Sequence, residues 1–105
     1  MNPNEYQKAA MRTVSSLAQH ELMLNGIMGL NGEAGEIADY YKKSRFQGHE
    51  LNREHLAEEL GDLLWYVATF AEGIGYKLED VMKMNIEKLK KRYPNGFEVE
   101  RSINR

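Results

Sequence analysis

Residues 33–40 read EAGEIADY, and residues 59–66 read ELGDLLWY. Both fit the pattern E-x-G-[ED]-[IL]-x-x-Y, and the second copy follows the first by 26 residues. Each copy sets two acids one helical turn apart around a glycine, inside an apolar segment. At about 100° per residue, with Glu33 at zero, the stripe Met23, Ile27, Leu30, Ala34, Ile37 and Tyr41 centres near ~80°. Glu36 then falls near ~300° and Tyr40 near ~340°. With Glu59 at zero, the apolar stripe around it again centres near ~80°, Asp62 near ~300° and Tyr66 near ~340°. The two segments are therefore helices with the same polar layout. If their stripes pack together, the two acid pairs face one another.

Helical periodicity extends over the rest of the chain, and strand signals are nearly absent. A first helix is expected from about Asn4 to Ala18, with Pro3 just ahead of it. A second runs from about Glu21 to Ser44, followed by the loop SRFQGHEL. A third starts near the N-cap Asn52 and carries Leu56, Leu60, Leu63, Leu64, Val67, Phe70, Ala71 and Ile74. The glycines of GIGY stop it. A fourth runs from about Leu78 to Tyr93 and ends at the turn YPNG. The tail FEVERSINR has no clear period. The expected fold is all-α, a four-helix antiparallel bundle with short connections.

At 105 residues the chain is expected to be a single domain spanning residues 1–105. The net charge of −2 supplies no basic field for a nucleic-acid polymer. The absence of cysteine excludes disulfides and thiolate metal sites. MNPNEYQKAA is too polar for a signal peptide, and no apolar run reaches membrane-spanning length, so a cytoplasmic protein with no membrane association is expected.

One E-x-x-E on a helix is ordinarily a solvated face. Two copies in the same helical phase, with matching glycine and tyrosine, point to four converging carboxylates. Such a cluster repels itself unless a cation is present. Oxygen-only donors suit Mg²⁺ or Mn²⁺ better than zinc or iron. Mg²⁺ commonly shares its shell with substrate phosphates, so the expected chemistry is at phosphate, where such an ion polarises a phosphoryl oxygen and helps to generate hydroxide. Gly29, Gly32, Gly35 and Gly61 lie inside the helices at about 1 kcal/mol each, which fits close approach of backbone or ligand.

Asn85, Lys88 and Arg92 share one flank of the fourth helix, beside Met82, Ile86, Leu89 and Tyr93. They either bind phosphates or form the basic end that suits a helix dipole. Lys42, Lys43 and Arg45 carry the same two readings. Trp65 either stacks a base or packs in a subunit interface. His20, His49 and His55 read as surface or capping residues. His20 is singled out because it precedes the first acid helix. Leu24, Met28, Trp65 and Ala68 point away from the shared stripe, which predicts a homodimer or homotetramer.

The paired motif Glu33, Glu36, Glu59 and Asp62, with 22 residues between the pairs, resembles the all-α nucleoside triphosphate pyrophosphohydrolases of the MazG type. GLNGEAGEIADYYKK, FQGHELN, EELGDLLWYVA, NIEKLKKRYPNGF and ERSINR are similar to the small single-domain MazG-like proteins of bacteria and phages. The resemblance covers nearly the whole chain. It implies Mg²⁺-dependent cleavage between the α- and β-phosphates of a nucleotide, giving a monophosphate and pyrophosphate. It implies Glu33, Glu36, Glu59 and Asp62 as metal ligands, one of which orients the attacking water. It implies phosphate contacts from Asn85, Lys88 and Arg92, and makes His20, Leu24 and Asn25 candidates for base recognition, with sites completed across subunits. Two further expectations stay open: a phosphoribosyl-ATP pyrophosphohydrolase, and a non-catalytic helical module that binds metal or nucleotide.

Overall fold

A computed structural model covers residues 1–105 and contains five helices and no strand. They are α1 (Pro3–Met11), α2 (Leu22–Gln47), α3 (Arg53–Gly73), α4 (Leu78–Arg92) and α5 (Val99–Ile103). None is long and apolar enough to cross a membrane.

Helix α1 is shorter than its periodicity suggested. It begins with a capping box: Asn2 accepts from the Glu5 amide at 2.9 Å, and Glu5 reaches back to the Asn2 amide, with Pro3 in the first turn. It ends at Met11 instead of Ala18. The reason is local chemistry, since Thr13 turns its hydroxyl onto the Ala10 carbonyl at 2.7 Å and the following Val-Ser-Ser run favours turns over helix. Helix α2 runs three residues past Ser44 and stops where Gly48 takes φ 71°, a left-handed cap. Helix α3 starts as expected, with Asn52 Oδ1 accepting from the Glu54 and His55 amides. Gly75, at φ 78°, reverses the chain after it. The tail forms the short α5.

The centre of the molecule is the α2–α3 pair. Space at three glycines defines it. A Cβ on Gly26 would lie 2.7 Å from Phe70 backbone atoms, one on Gly29 would overlap the Tyr66 ring, and one on Gly73 would overlap the Met23 backbone. The partners descend along α3 as they ascend along α2, so the helices are antiparallel. The face between them carries these glycines and the acids. Each stripe is only partly covered: Met23, Ile27, Leu60 and Leu64 are exposed, whereas Leu30, Ile37, Leu63, Val67 and Phe70 are half-buried and Ala71 is buried. At Gly26, Gly29 and Gly73 the two helices approach more closely than large side chains would allow, and Phe70 of the α3 stripe takes part in that contact.

Helix α1 covers another side of α3. Ala68 and Thr69 are fully buried within the single chain, so of the four residues expected to form an outward patch only Leu24 and Met28 are exposed. Trp65 donates its indole N–H to Thr13 Oγ1 at 2.8 Å and to the Ala10 carbonyl at 3.2 Å. Helix α4 has no N-cap side chain of its own. Two residues of α1 supply the cap: Gln7 Oε1 accepts from the Leu78 amide at 2.6 Å, and Asn4 Oδ1 accepts from the Glu79 amide at 3.1 Å. Gln7 is buried, and its amide also donates to the Tyr76 carbonyl and to Glu72. Helix α4 thus packs on α1 and α3 rather than along α2, and Met82, Met84, Ile86 and Leu89 stay exposed. The radius of gyration is 16.8 Å, against about 13 Å for a compact chain of this length.

Candidate metal centre

Glu33 projects from α2, and Glu59 and Asp62 from successive turns of α3. Each offers a carboxylate oxygen, and the three lie within 4.8 Å of one another. Gly29 and Tyr66 set this spacing, because the ring of Tyr66 lies over the glycine one turn before Glu33. Glu36 lies outside this group and is exposed.

Glu33 Oε2 and Glu59 Oε2 are both buried and have no hydrogen-bond partner. Two carboxylates are both acceptors, so only a proton or a cation joins them. The carboxyl of Glu33 is pushed up from 4.5 to about 7. A proton shared with Glu59 is the main cause, followed by burial and then by the charges of Glu36, Glu59 and Asp62. Asp39, three residues beyond Glu36, behaves oppositely. Lys43, 2.9 Å away, bonds it and holds it below the usual carboxylate range. Lys42 also lies at 3.6 Å from Asp39, so these two lysines serve Asp39 and leave the cluster unneutralised. Two buried oxygens without a donor, in an all-oxygen set, fit a hard divalent cation.

The neighbours of the cluster were mostly not legible in the sequence. His55 Nε2 lies 3.6 Å from Glu59 Oε1, and its ring packs on Tyr40 at 4.5 Å. The i,i+4 spacing of His55 and Glu59 was the available signal. The Tyr40 hydroxyl accepts from the Asn52 amide at 2.9 Å and pins the α2–α3 loop. Thus the two tyrosines of the repeated motif do different things. Tyr6, on α1, has its phenol pushed up by burial and then by the charge of Asp62. A cavity of about 410 Å³ opens beside the cluster, lined by Glu33, Asp62, Trp65 and Tyr66.

The remaining candidates sit elsewhere. Asn25 and Leu24 line a separate cavity of about 480 Å³ with Ser15, Leu17, Ala18, Glu21 and Met28. His20 is exposed in the preceding loop. Asn85 and Lys88 are exposed on α4, and Arg92 lines a third cavity with Glu98, Glu100, Arg101, Asn104 and Arg105. None of the α4 residues lines the cavity at the acids.

Residues 19–97, which include both acid pairs, match the family model described as the MazG nucleotide pyrophosphohydrolase domain. The Gene 37 protein of Mycobacterium phage L5 is 42% identical over 73 residues, which are 66% of this chain and 64% of that protein. The Uncharacterized protein YvdC of Bacillus subtilis (strain 168) is 46% identical over 73 residues, 61% of this chain and 69% of that protein. The chain thus spans somewhat less than two thirds of the phage protein's length. No solved structure matches.

Proposed function

The chain belongs to the MazG nucleotide pyrophosphohydrolase family, and from that premise we propose that it is a hydrolase cleaving the α–β anhydride of nucleoside triphosphates. The observation that carries this reading is the convergence of Glu33, Glu59 and Asp62 within 4.8 Å, with two of their oxygens buried and unpartnered. These three would hold Mg²⁺, or Mn²⁺ in its place, and Glu36 would join them at the exposed rim. When bound, the ion supplies Lewis-acid polarisation of phosphate and a lowered pKa for water. The chain's own part is to bring the carboxylates together, to keep two of their oxygens from bulk water, and to leave an open cavity beside them for the triphosphate. One carboxylate of the set would accept the proton that the attacking water loses, as water adds across the anhydride and pyrophosphate leaves. Asn85, Lys88 and Arg92 would bind phosphates, and His20 and Asn25 the nucleoside end. Control of a cytoplasmic nucleotide pool is the accompanying role.

The assembly we propose is a homodimer or homotetramer of single-domain chains, in which a bundle of four or more helices is completed between copies. The accessible surface of 8178 Å² exceeds by about 2,000 Å² what a folded monomer of this mass exposes. An excess of that size is in the range that obligate interfaces bury. It includes the uncovered faces of α2, α3 and α4. Completion of the site across copies would bring the α4 residues to the acids of another chain.

The test is pyrophosphate release from a panel of ribo- and deoxynucleoside triphosphates with Mg²⁺, with and without chelator. Chelator-sensitive release of equal amounts of monophosphate and pyrophosphate is expected. Release of orthophosphate instead, or no turnover of any member, would refute the reading. Light scattering at micromolar concentration tests the assembly, and an active monomer of about 12 kDa would refute that part.

A further inference from the structure

Trp65 is the chain's one tryptophan, and the acid cluster does not account for it. Its ring is half-exposed and lines the cavity beside Glu33 and Asp62, next to Tyr66. The ring is held from two sides. Its N–H is used up on Thr13 Oγ1 and the Ala10 carbonyl, and the Tyr66 ring stands against it at 5.0 Å and 88°. An indole anchored in this way cannot swing out of the cavity. It has no donor left to offer a ligand, so the apolar surface of the ring is what it presents there. An aromatic surface fixed one helical turn from a candidate phosphate-and-metal site suits a planar, uncharged partner, and on a nucleotide that partner is the base.

Resting on the proposed nucleotide chemistry, we infer that Trp65 is the stacking platform for the nucleobase, with Thr13 as the residue that positions it. Stacking is tolerant of base identity, because every base has a π-face. The contact therefore adds affinity for a nucleoside over bare polyphosphate and does little to choose among bases. A structural tie between α1 and α3 would make the same hydrogen bonds but would be indifferent to whether the ligand carries a base.

That difference sets the experiment. The probe is a nucleoside triphosphate analogue with a methylene bridge between the α and β phosphorus atoms, which α–β hydrolysis cannot cleave. The control is inorganic tripolyphosphate, which has the phosphate chain and no base. Both are titrated into the full chain with Mg²⁺, with binding measured by calorimetry and the environment of Trp65 by its own emission. The analogue is expected to quench that emission, and tripolyphosphate to bind without doing so. Trp65→Leu should weaken the analogue by about five- to a hundredfold while leaving tripolyphosphate within about twofold. Trp65→Phe should keep most of the affinity, and Thr13→Val should give a smaller loss confined to the analogue. Equal losses for both ligands in Trp65→Leu would make the residue only a tie between helices and overturn the inference. So would emission that responds alike to both ligands. Should the leucine variant fail to fold, the emission comparison on the unaltered chain decides by itself. Binding of neither ligand would overturn the nucleotide reading together with this one, whereas binding of both with no base-dependent response overturns this one alone.

Discussion

Gly26→Ala tests the packing on which the site depends. The added methyl would meet Phe70 Cα, Cβ and N, each at 2.7 Å. An ordinary contact of this kind is about 3.5–4.0 Å, so α2 and α3 must separate by about 1 Å at this level or the new group must be strained. Two of the three atoms belong to the backbone of a regular helix and cannot rotate away. Overpacking of a close-fitted site costs about 1–3 kcal/mol, and the rigid partner puts this case at the upper end. Alanine recovers about 1 kcal/mol of helix propensity. The net loss is about 2 kcal/mol, which for a domain of this size lowers the Tm by about 8–16 °C. Gly35→Ala and Gly61→Ala are the controls, since nothing lies within 4 Å of a Cβ at either position. Each should gain about 1 kcal/mol from propensity alone. The assay is thermal unfolding by circular dichroism at one fixed protein concentration, because any assembly makes the Tm concentration-dependent. A Gly26→Ala protein as stable as the unaltered chain would refute the close approach of α2 and α3. A loss at Gly35 or Gly61 would mean that another copy of the chain fills the space the glycines leave.

Four further outcomes are expected. Glu59→Gln should abolish Mg²⁺-dependent turnover, keep the helical circular dichroism and remove the rise in Tm expected of the unaltered chain with millimolar Mg²⁺; retained activity would take Glu59 out of the site. The raised carboxyl of Glu33 predicts opposite pH trends with and without metal. Its folded pKa of about 7 lies above the ordinary 4.5, so its contribution to metal-free stability is complete below pH ~4.5 and lost as pH rises towards ~7. A cation needs the ionised form, so affinity for Mg²⁺ should rise about tenfold from pH ~6 to above pH ~7 and then level off, and a flat calorimetric profile would sink this. Gln7→Ala leaves the Leu78 amide without its acceptor, at about 1–3 kcal/mol, and should speed hydrogen exchange at the start of α4 more than in α2; uniform exchange would show that Gln7 does not hold that helix. Lys88→Ala should weaken triphosphate more than monophosphate binding, and equal losses would return the residue to a helix-dipole role.

The helices were legible because each is long and periodic. Residues 22–47 and 53–73 match the expected spans to within a few residues, since cap residues such as Asn52 mark their ends in the sequence. Where local and periodic signals conflicted, the local signal won. Thr13 turns back on α1, and the apolar positions beyond it do not continue the helix. The short α5 lacks the length to show a period at all. The acids were found by their shared phase, but which of them converge was not, because Glu36 and Glu33 differ by only one turn and the depth of the groove decides between them. The capping of α4 by Asn4 and Gln7 was invisible, since more than 70 residues separate the partners.

Glu33 and Glu59 are half-buried between α2 and α3, close to the glycines at which the two helices meet. That placement has an energetic meaning. Large side chains between α2 and α3 would hold the helix axes at a normal spacing of 8–10 Å and keep the carboxylates apart. Glycine at 26, 29 and 73 removes that bulk, lets the backbones approach, and brings Glu33 against Glu59. Each glycine inside a helix costs about 1 kcal/mol of propensity. The carboxylates add mutual repulsion, seen in the raised carboxyl of Glu33, and two buried oxygens add lost hydration. Stability therefore opposes this seam at several residues at once, while part of each apolar stripe, including Met23, Ile27, Leu60 and Leu64, stays exposed. One ligand answers all of these costs together. A divalent cation would neutralise the acids, satisfy the buried oxygens and tie together the two helices that glycine has drawn close. A proton shared by Glu33 and Glu59 answers only the first, and only below pH ~7. If the proposed metal site holds, the glycines and the acids act as one device: replacing Gly26 or Gly29 should weaken Mg²⁺ binding even though neither residue has a side chain to offer, and stability and metal affinity should fall in step across the series.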